Sequence, residues 1–240
     1  MRKAQTAIAA AAAAAALAMT APIAAAQPPL APAPAISPGF AFVSANKTNT
    51  DGDSCTIGFL AHTKDGQPVM LSAGHCDQGG QVSIKYAGTG TYEPVGTFTQ
   101  TIDEGLAGSD DDIGLVKLGS AVPEDLRIYG IRPVTGSTTN LRLGQELCKF
   151  GVATGLQCGK ITTVTPKKVV FDAKGAPGDS GGPVYLRNPD GTATAVGVTK
   201  GSATQGGAVA ELVEPWLRRW ELTLDTPGNA SSVQNVNYHR

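Results

Sequence analysis

Apolar and polar residues alternate in short runs along most of this chain, and glycine, proline, asparagine or aspartate separates the runs. Runs of this length with a period of two predict half-buried β-strands, whereas an amphipathic helix repeats its apolar positions every three or four residues. The predicted strands cover residues 55–62, 68–73, 81–86, 93–99 and 113–118, and then, from about residue 147 onward, residues 160–165, 169–171, 184–186 and 195–198. Many short strands without intervening helices predict an all-β domain built as a sandwich or as barrels.

One segment of the chain has a helical pattern. Residues 210–220 predict a short helix near the C-terminus, with Pro215 in its first turn, where a proline is tolerated. The strand-rich domain extends over residues 39–224 and divides into two halves near residues 120–139, and residues 225–240 predict a polar, flexible tail.

The first 38 residues do not fit the strand pattern. Residues 1–26 start with two basic residues, continue through an alanine-rich apolar run and end in three small residues, which is the order of regions in a secretory signal peptide. An alanine-rich tether or an uncleaved anchor has a similar composition. Residues 27–38 are rich in proline and predict an extended linker or a short pro-segment.

Composition narrows the possible partners. The formal net charge is −1 and only 16% of residues are charged, which argues against nucleic acid or an anionic membrane as the main partner. The hydrophobic fraction of 41% is sufficient for a folded core.

The string Gly178-Asp179-Ser180-Gly181-Gly182-Pro183 is the strongest candidate for chemistry. Glycines allow sharp backbone bends and close approach to a ligand. A nucleophilic serine needs both, because its hydroxyl must be accessible and nearby N–H groups must face the oxygen that becomes negative. A glycine-rich turn without function is the alternative for the shorter string Gly-Asp-Ser-Gly alone.

A histidine and an aspartate lie upstream of this serine. His75 follows an apolar strand within Leu71-Ser72-Ala73-Gly74-His75-Cys76, whereas His62 lies beside a turn and His239 lies in the tail. Of three consecutive aspartates, only Asp112 directly precedes an apolar strand, and Asp110 and Asp111 are interpreted as solvated loop residues.

These three strings, in the order His75, Asp112, Ser180, resemble the chymotrypsin-like (trypsin-type) serine protease family, and especially its bacterial streptogrisin-type members. The resemblance covers about residues 40–224. It implies two packed six-stranded antiparallel Greek-key barrels with a short C-terminal helix. It also implies that the three residues form a catalytic triad and that the backbone N–H groups of Gly178 and Ser180 form the oxyanion hole. The chain has no room for the long pro-domain that many secreted bacterial relatives carry.

The four cysteines agree with an exported protein, because an even number in an oxidising compartment favours disulfides. The count alone allows three pairings. The resemblance implies bridges Cys55–Cys76 and Cys148–Cys158. A zinc site is disfavoured because no Cys-x-x-Cys pair is present, so we expect neither a metal nor a cofactor.

Asp179 needs a cationic partner if it is buried. In animal members of the family the partner is a new N-terminal amine, and in streptogrisin-type members it is a basic side chain of the second barrel. Lys149 lies at about the matching position. The alternative partner is the amine of Ile36, if processing cuts the bond after Ala35.

The resemblance also implies where the specificity pocket lies. Residues 173–178 hold no carboxylate, which disfavours cleavage after lysine or arginine. Lys200 lies where the family has a serine near the buried aspartate, and its side chain either points to solvent, the favoured interpretation, or biases the pocket towards acidic residues. The residues expected in the pocket walls are Lys174, Ala176, Pro177, Thr199, Lys200 and Gly201.

Three functions remain open from the sequence. The favoured one is a secreted, monomeric serine endopeptidase with a polypeptide substrate and with no nucleic-acid or membrane partner after signal cleavage. The others are a catalytically inactive binding module of the same fold and a serine esterase.

Overall fold

The structure is a computed structural model, and it describes residues 35–85, 90–105, 110–120, 122–203 and 206–229. The predicted signal peptide over residues 1–26 and most of the predicted tail lie outside the described residues. None of the helices within the described residues has the length and hydrophobicity of a membrane span.

The described residues form sixteen strands, a single 3-10 turn at Gly74–Cys76 and the helix α1 at Val213–Arg219. In chain order the strands are β1 (Ala41–Asn46), β2 (Gly52–Thr56), β3 (Leu60–His62), β4 (Pro68–Ser72), β5 (Gly79–Lys85), β6 (Tyr92–Asp103), β7 (Asp112–Leu118), β8 (Arg127–Ile128), β9 (Arg132–Ser137), β10 (Glu146–Gly151), β11 (Gly155–Val164), β12 (Lys168–Phe171), β13 (Pro183–Arg187), β14 (Ala193–Ser202), β15 (Ala208–Leu212) and β16 (Thr223–Leu224).

Two sheets divide the strands. The first sheet has the order β16-β3-β4-β7-β6-β5-β1-β2, and all of its pairings are antiparallel. The second has the order β13-β10-β11-β12-β15-β14-β9-β8, and an additional pairing of β13 with β14 closes six of its strands into a barrel. β9 pairs with β14 in parallel, which is the exception in an otherwise antiparallel sheet. The predicted all-β fold with a short C-terminal helix is confirmed.

The hydrophobic core has three parts. One cluster lies within the first sheet around Phe42 and Met70, and another lies within the second sheet around Leu147 and Phe171. The third joins the two halves, because it contains residues of β4 and β7 from the first sheet and of β13 and β14 from the second, together with Trp216 of α1. This shared cluster fixes the two halves relative to each other, and the candidate site described below draws its residues from both.

Two predicted boundaries are wrong. The predicted strand over residues 55–62 is interrupted, because β2 ends at Thr56 and β3 begins at Leu60. The predicted helix over residues 210–220 begins only at Val213, since Ala208–Leu212 is the strand β15. Every residue of β15 is buried, so its sequence has no alternation that would distinguish a strand from a helix. Pro215 does lie in the first turn of α1, as predicted.

Candidate active site

His75 and Asp112 are in direct contact, one from a short turn and the other from the start of a strand. His75 lies in the 3-10 turn at Gly74–Cys76, and Asp112 is the first residue of β7. The carboxylate of Asp112 accepts two hydrogen bonds from His75, one from the ring Nδ1 at 2.7 Å and one from the backbone N–H at 2.9 Å. Because a carboxylate accepts but does not donate, Nδ1 carries the proton and Nε2 is the basic nitrogen.

This pair is buried on one side and accessible on the other. The side chain of Asp112 is 0% exposed and that of His75 is 25% exposed. The hydrogen bond that the ring donates to Asp112 raises the pKa of His75 above its ordinary value, and burial of the ring acts in the opposite direction. Charge from Asp112 and Asp103 raises the pKa further, and the charge of Lys200 lowers it. His75 is therefore a better base than a free imidazole while its ring still reaches solvent.

Gly74 explains why the turn approaches β7 so closely. A Cβ atom at this position would lie 2.0 Å from the carbonyl oxygen of Ile102 and 3.1 Å from the backbone nitrogen of Ile113. Any larger residue would push the turn away from the strands that carry Asp112. The Ala-Gly-His-Cys string thus has a steric requirement for its glycine.

The loop around Ser180 is a tight turn stabilised by its own backbone. The N–H of Asp179 donates to Ala176, and that of Gly182 donates to Asp179. Gly178 and Gly181 have φ angles of 100° and 81°, which favour glycine. Within the described residues no acceptor is hydrogen-bonded to the N–H groups of Gly178 and Ser180, so both are available to a ligand.

Four contacts hold the serine loop beside the histidine turn. The N–H of Thr56 donates to the carbonyl oxygen of Ser180 at 2.8 Å, and the Thr56 hydroxyl donates to the carbonyl of Gly178 at 2.7 Å. The neighbour of Thr56, Cys55, is disulfide-bonded to Cys76, the residue after His75. A Cβ at Gly181 would lie 3.0 Å from the backbone nitrogen of Ala73, so the two loops are in direct contact. The tertiary structure thus brings together the three sequence strings.

Asp179 is buried and has a dense set of donors. Lys149 donates from Nζ to its carboxylate at 2.6 Å, and the two side chains are 0% and 1% exposed. The Thr154 hydroxyl donates at 2.7 Å, and the N–H groups of Ala153, Thr154 and Ala176 donate at 3.0 to 3.1 Å. Burial acts to raise the pKa of Asp179, but the hydrogen bonds from Lys149 and Thr154 outweigh it and lower the pKa below its ordinary value.

Ile36 lies elsewhere in this uncleaved chain. It is fully buried, its N–H donates to the carbonyl oxygen of Pro123 at 2.8 Å, and it forms a parallel bridge with Glu124. The cation beside Asp179 is therefore the lysine.

The four cysteines form the bridges Cys55–Cys76 and Cys148–Cys158, as expected from the resemblance. Two groups of side chains in the described residues have the spacing of metal ligands, one around Cys55 and Cys76 and one around Cys148 and Cys158. Their sulfur atoms are in disulfides and are not thiolates, so these groups do not suit a metal ion.

The residues expected to line the pocket come together only in part. Lys174, Ala176 and Pro177 are exposed, and a Cβ at Gly175 would lie 3.2 Å from the Ser202 hydroxyl, so residues 174–177 face the end of β14. Open space surrounds the Cβ position of Gly201. Thr199 and Lys200 are instead buried behind this surface.

The favoured interpretation that Lys200 points to solvent is therefore wrong. Its side chain is 1% exposed, and Nζ donates to the carbonyl oxygen of Asp110. The interpretation of Asp111 as a solvated loop residue is also wrong. Asp111 is 4% exposed and forms ion pairs with Lys167 and Lys168.

Sequence reasoning did not identify Lys168 and Glu211. Both are buried, and Lys168 Nζ lies 3.1 Å from the Glu211 carboxylate. Glu211 also accepts from the indole N–H of Trp216 at 3.0 Å and from the backbone N–H of Asp112 at 3.3 Å. The signal that could have found Glu211 is a single charged residue inside the apolar run Ala208–Leu212.

The remaining described histidine, His62, lies at the far end of β3. Its Nδ1 is 2.5 Å from the carboxylate of Asp225, which is buried at the start of the predicted tail. Burial raises the pKa of Asp225, and the hydrogen bond from His62 opposes that effect.

Comparison with known proteins adds family relationships to this geometry. No family model matches the chain. An uncharacterized protein of Mycobacterium tuberculosis is 29% identical over 161 residues, which is 62% of this chain and 68% of that protein. Streptogrisin-D of Streptomyces griseus is 26% identical over 166 residues, 63% of this chain and 39% of that protein.

Solved structures are similar over most of the chain. Nocardiopsis protease is 30% identical with a TM-score of 0.62, and Thermobifida fusca protease A is 26% identical with the same TM-score. Each comparison covers 80% of this chain and 100% of the solved chain.

Proposed function

Because this chain belongs to the chymotrypsin-like bacterial serine proteases, we propose that it is a secreted serine endopeptidase that hydrolyses peptide bonds through His75, Asp112 and Ser180. The observation that carries the proposal is the pair of hydrogen bonds from His75 to a fully buried Asp112, beside a serine loop with two unengaged N–H groups. Serine proteases among the relatives imply a polypeptide substrate.

In the proposed reaction, the Ser180 hydroxyl oxygen attacks the carbonyl carbon of a peptide bond. His75 Nε2 accepts the hydroxyl proton and later gives it to the departing amine, which leaves an acyl-enzyme that water hydrolyses with the same base. Asp112 holds the ring in the tautomer with Nδ1 protonated and stabilises the imidazolium that forms.

The negative oxygen of the intermediate would be stabilised by the N–H groups of Gly178 and Ser180. Loss of one such donor costs about 3–4 kcal/mol of transition-state stabilisation in comparable sites. The positive φ of Gly178 orients one of the two donors, and for this reason a side chain at that position would disturb the reaction.

The ion pair of Lys149 with Asp179 supports a site that forms without cleavage of the chain. In this proposal the lysine replaces a freed N-terminal amine as the partner of Asp179, since Ile36 has other hydrogen-bond partners. Activation would then not require cleavage of a short pro-segment.

Secretion is part of the proposal. Two disulfides and the alanine-rich N-terminal segment support export, with residue 27 as the mature N-terminus. N-terminal sequencing of protein recovered from the culture medium tests the cleavage site, and a start at Met1 would contradict it.

Labelling with a fluorophosphonate probe tests the catalytic proposal. We expect the purified protein to be labelled at Ser180 and the Ser180→Ala variant to remain unlabelled. A peptide library and simple esters then separate an endopeptidase from an esterase. A folded wild-type protein that is not labelled would refute the proposal and favour an inactive binding module.

A further inference from the structure

Lys200 is a buried lysine at a strand irregularity beside the candidate active site. The register of β14 against β15 shifts between Thr199 and Gly201, so Lys200 is the extra residue of a bulge. Bulges redirect a side chain that regular pairing would place differently. Here the side chain is 1% exposed, and its ammonium donates to the carbonyl oxygen of Asp110.

The ammonium of Lys200 belongs to a buried group of charges, which we call the ion cluster. It contains three carboxylates, Asp111, Asp112 and Glu211, all less than 5% exposed. Lys168 lies 2.8 Å from Asp111 and 3.1 Å from Glu211, and Lys167 also reaches Asp111. The side chain of Lys167 is 57% exposed, so the buried part of the cluster has three carboxylates and two ammonium groups, those of Lys168 and Lys200.

Charge balance matters because isolated buried charges are costly. Removing Lys200 would leave three buried carboxylates of the cluster, among them Asp112, with the single buried ammonium of Lys168. Burial and then repulsion by Lys168 lower the pKa of Lys200 below its ordinary value, and the carboxylates of Asp112, Glu211 and Asp110 offset part of this decrease. These carboxylates thus favour the charged form of the lysine.

The position of Lys200 connects this balance to the triad. Its acceptor, the Asp110 carbonyl, lies two residues before Asp112 in the chain. The lysine therefore anchors the segment that leads into β7. Resting on the proposed peptidase function, we propose that Lys200 is a positioning residue for the His75–Asp112 pair, because it anchors the start of β7 and balances the charge of the Asp112 carboxylate.

The same geometry predicts that replacing Lys200 changes the pH dependence of the proposed peptidase activity. The groups whose charges act on His75 are Asp112, Asp103 and Lys200. The two carboxylates stabilise the imidazolium, and the lysine opposes it. Loss of the lysine charge would raise the pKa of His75, and activity that needs the neutral ring would begin at higher pH.

Lys200→Met tests the proposal, because methionine is similar in length but has neither charge nor donor. We expect kcat to fall on the order of 10²-fold, the loss typical of a slightly misplaced catalytic group, with KM little changed. We also expect the acid limb of the kcat/KM profile to move to higher pH. Lys200→Gln keeps a donor for the Asp110 carbonyl and lacks the charge, so we expect the same movement of the acid limb with a smaller loss of kcat.

Lys117→Met is the matched control, since Lys117 is an exposed lysine on β7, the strand of Asp112. It should leave both kcat and the pH profile unchanged. If Lys200→Met does not fold, as judged by circular dichroism, the Lys200→Gln variant provides the pH measurement.

A second measurement does not depend on activity. NMR titration of His75 in a Ser180→Ala background, assigned with a His75→Gln variant, should give a higher midpoint when Lys200 is replaced and no change when Lys117 is replaced. An unchanged midpoint in a folded Lys200 variant would overturn the inference. Failure of the wild-type protein to cleave peptides would refute the proposed function, and the titration would still decide the role of Lys200.

Discussion

Replacing Lys149 by methionine should destabilise the protein and disrupt the loop that carries Ser180. The change leaves Asp179 as a buried carboxylate without its cation, while both native side chains are at most 1% exposed. Removal of one partner from a buried ion pair typically costs about 3–5 kcal/mol. Asp179 would keep hydrogen bonds from the backbone and from Thr154, so we expect the lower end, about 3 kcal/mol.

Thermal unfolding followed by circular dichroism measures this loss. For a domain of this size about 1 kcal/mol corresponds to about 2–4 °C in Tm, so the variant should melt about 6–12 °C below wild type. The double variant Lys149→Met with Asp179→Asn removes both charges, and it should lose less stability than the sum of the single changes. Lys160→Met, at an exposed lysine of β11, is the control, and its Tm should equal that of wild type.

The pH dependence gives an independent check. Because the folded pKa of Asp179 is lowered, its contribution to stability is present above the unfolded pKa and is lost as pH falls through the folded pKa. The difference in unfolding free energy between wild type and Lys149→Met should therefore shrink in acid. Fluorophosphonate labelling of the variant should also be lost at neutral pH.

A folded Lys149→Met protein whose unfolding free energy is within about 0.5 kcal/mol of that of wild type, and which the probe labels normally, would refute this reasoning. That result would favour the amine of Ile36 as the partner of Asp179 after processing.

Three further predictions concern other parts of the molecule. Gly178→Ala should lower kcat by about 10²–10³-fold, as measured by peptide hydrolysis, because the φ of 100° at this position orients a proposed oxyanion donor; near-normal kcat would contradict the proposed oxyanion hole. Burial raises the pKa of Glu124 to about 7, and one of its carboxylate oxygens has no hydrogen-bond partner among the described residues. The unfolding free energy of wild type should therefore decrease as the pH rises from about 4.5 to 7, and that of Glu124→Gln should not, as urea unfolding at several pH values will test. Replacing Cys55 and Cys76 together by alanine should lower the unfolding free energy by about 3 kcal/mol, since the bridge closes a separation of 21 residues, and an unchanged midpoint in guanidinium chloride would contradict the estimate.

Short-range patterns were sufficient to predict much of the fold. Strands such as β4, β5 and β7 are close to their predicted limits, because each has a clear apolar run bounded by turn residues. The boundary of α1 was wrong because β15 is buried on both faces and has no alternation. Two strands that were not predicted, β9 and β16, pair with β14 and β3, which are distant in sequence.

The residues of the proposed catalytic site were predicted from sequence strings alone. The strings around His75, Asp112 and Ser180 carry recognisable steric requirements, such as the glycines at positions 74 and 178, and these requirements are local.

Which other charges surround that site depends on the tertiary structure and could not be predicted from the sequence. The burial of Lys200 and Asp111 depends on a bulge in β14 and on the approach of β12 and β15 to the start of β7, and the same residues would be solvated in a free loop. The physical reason is that the state of a charged side chain depends on its desolvation and on its partners, both of which arise from long-range packing.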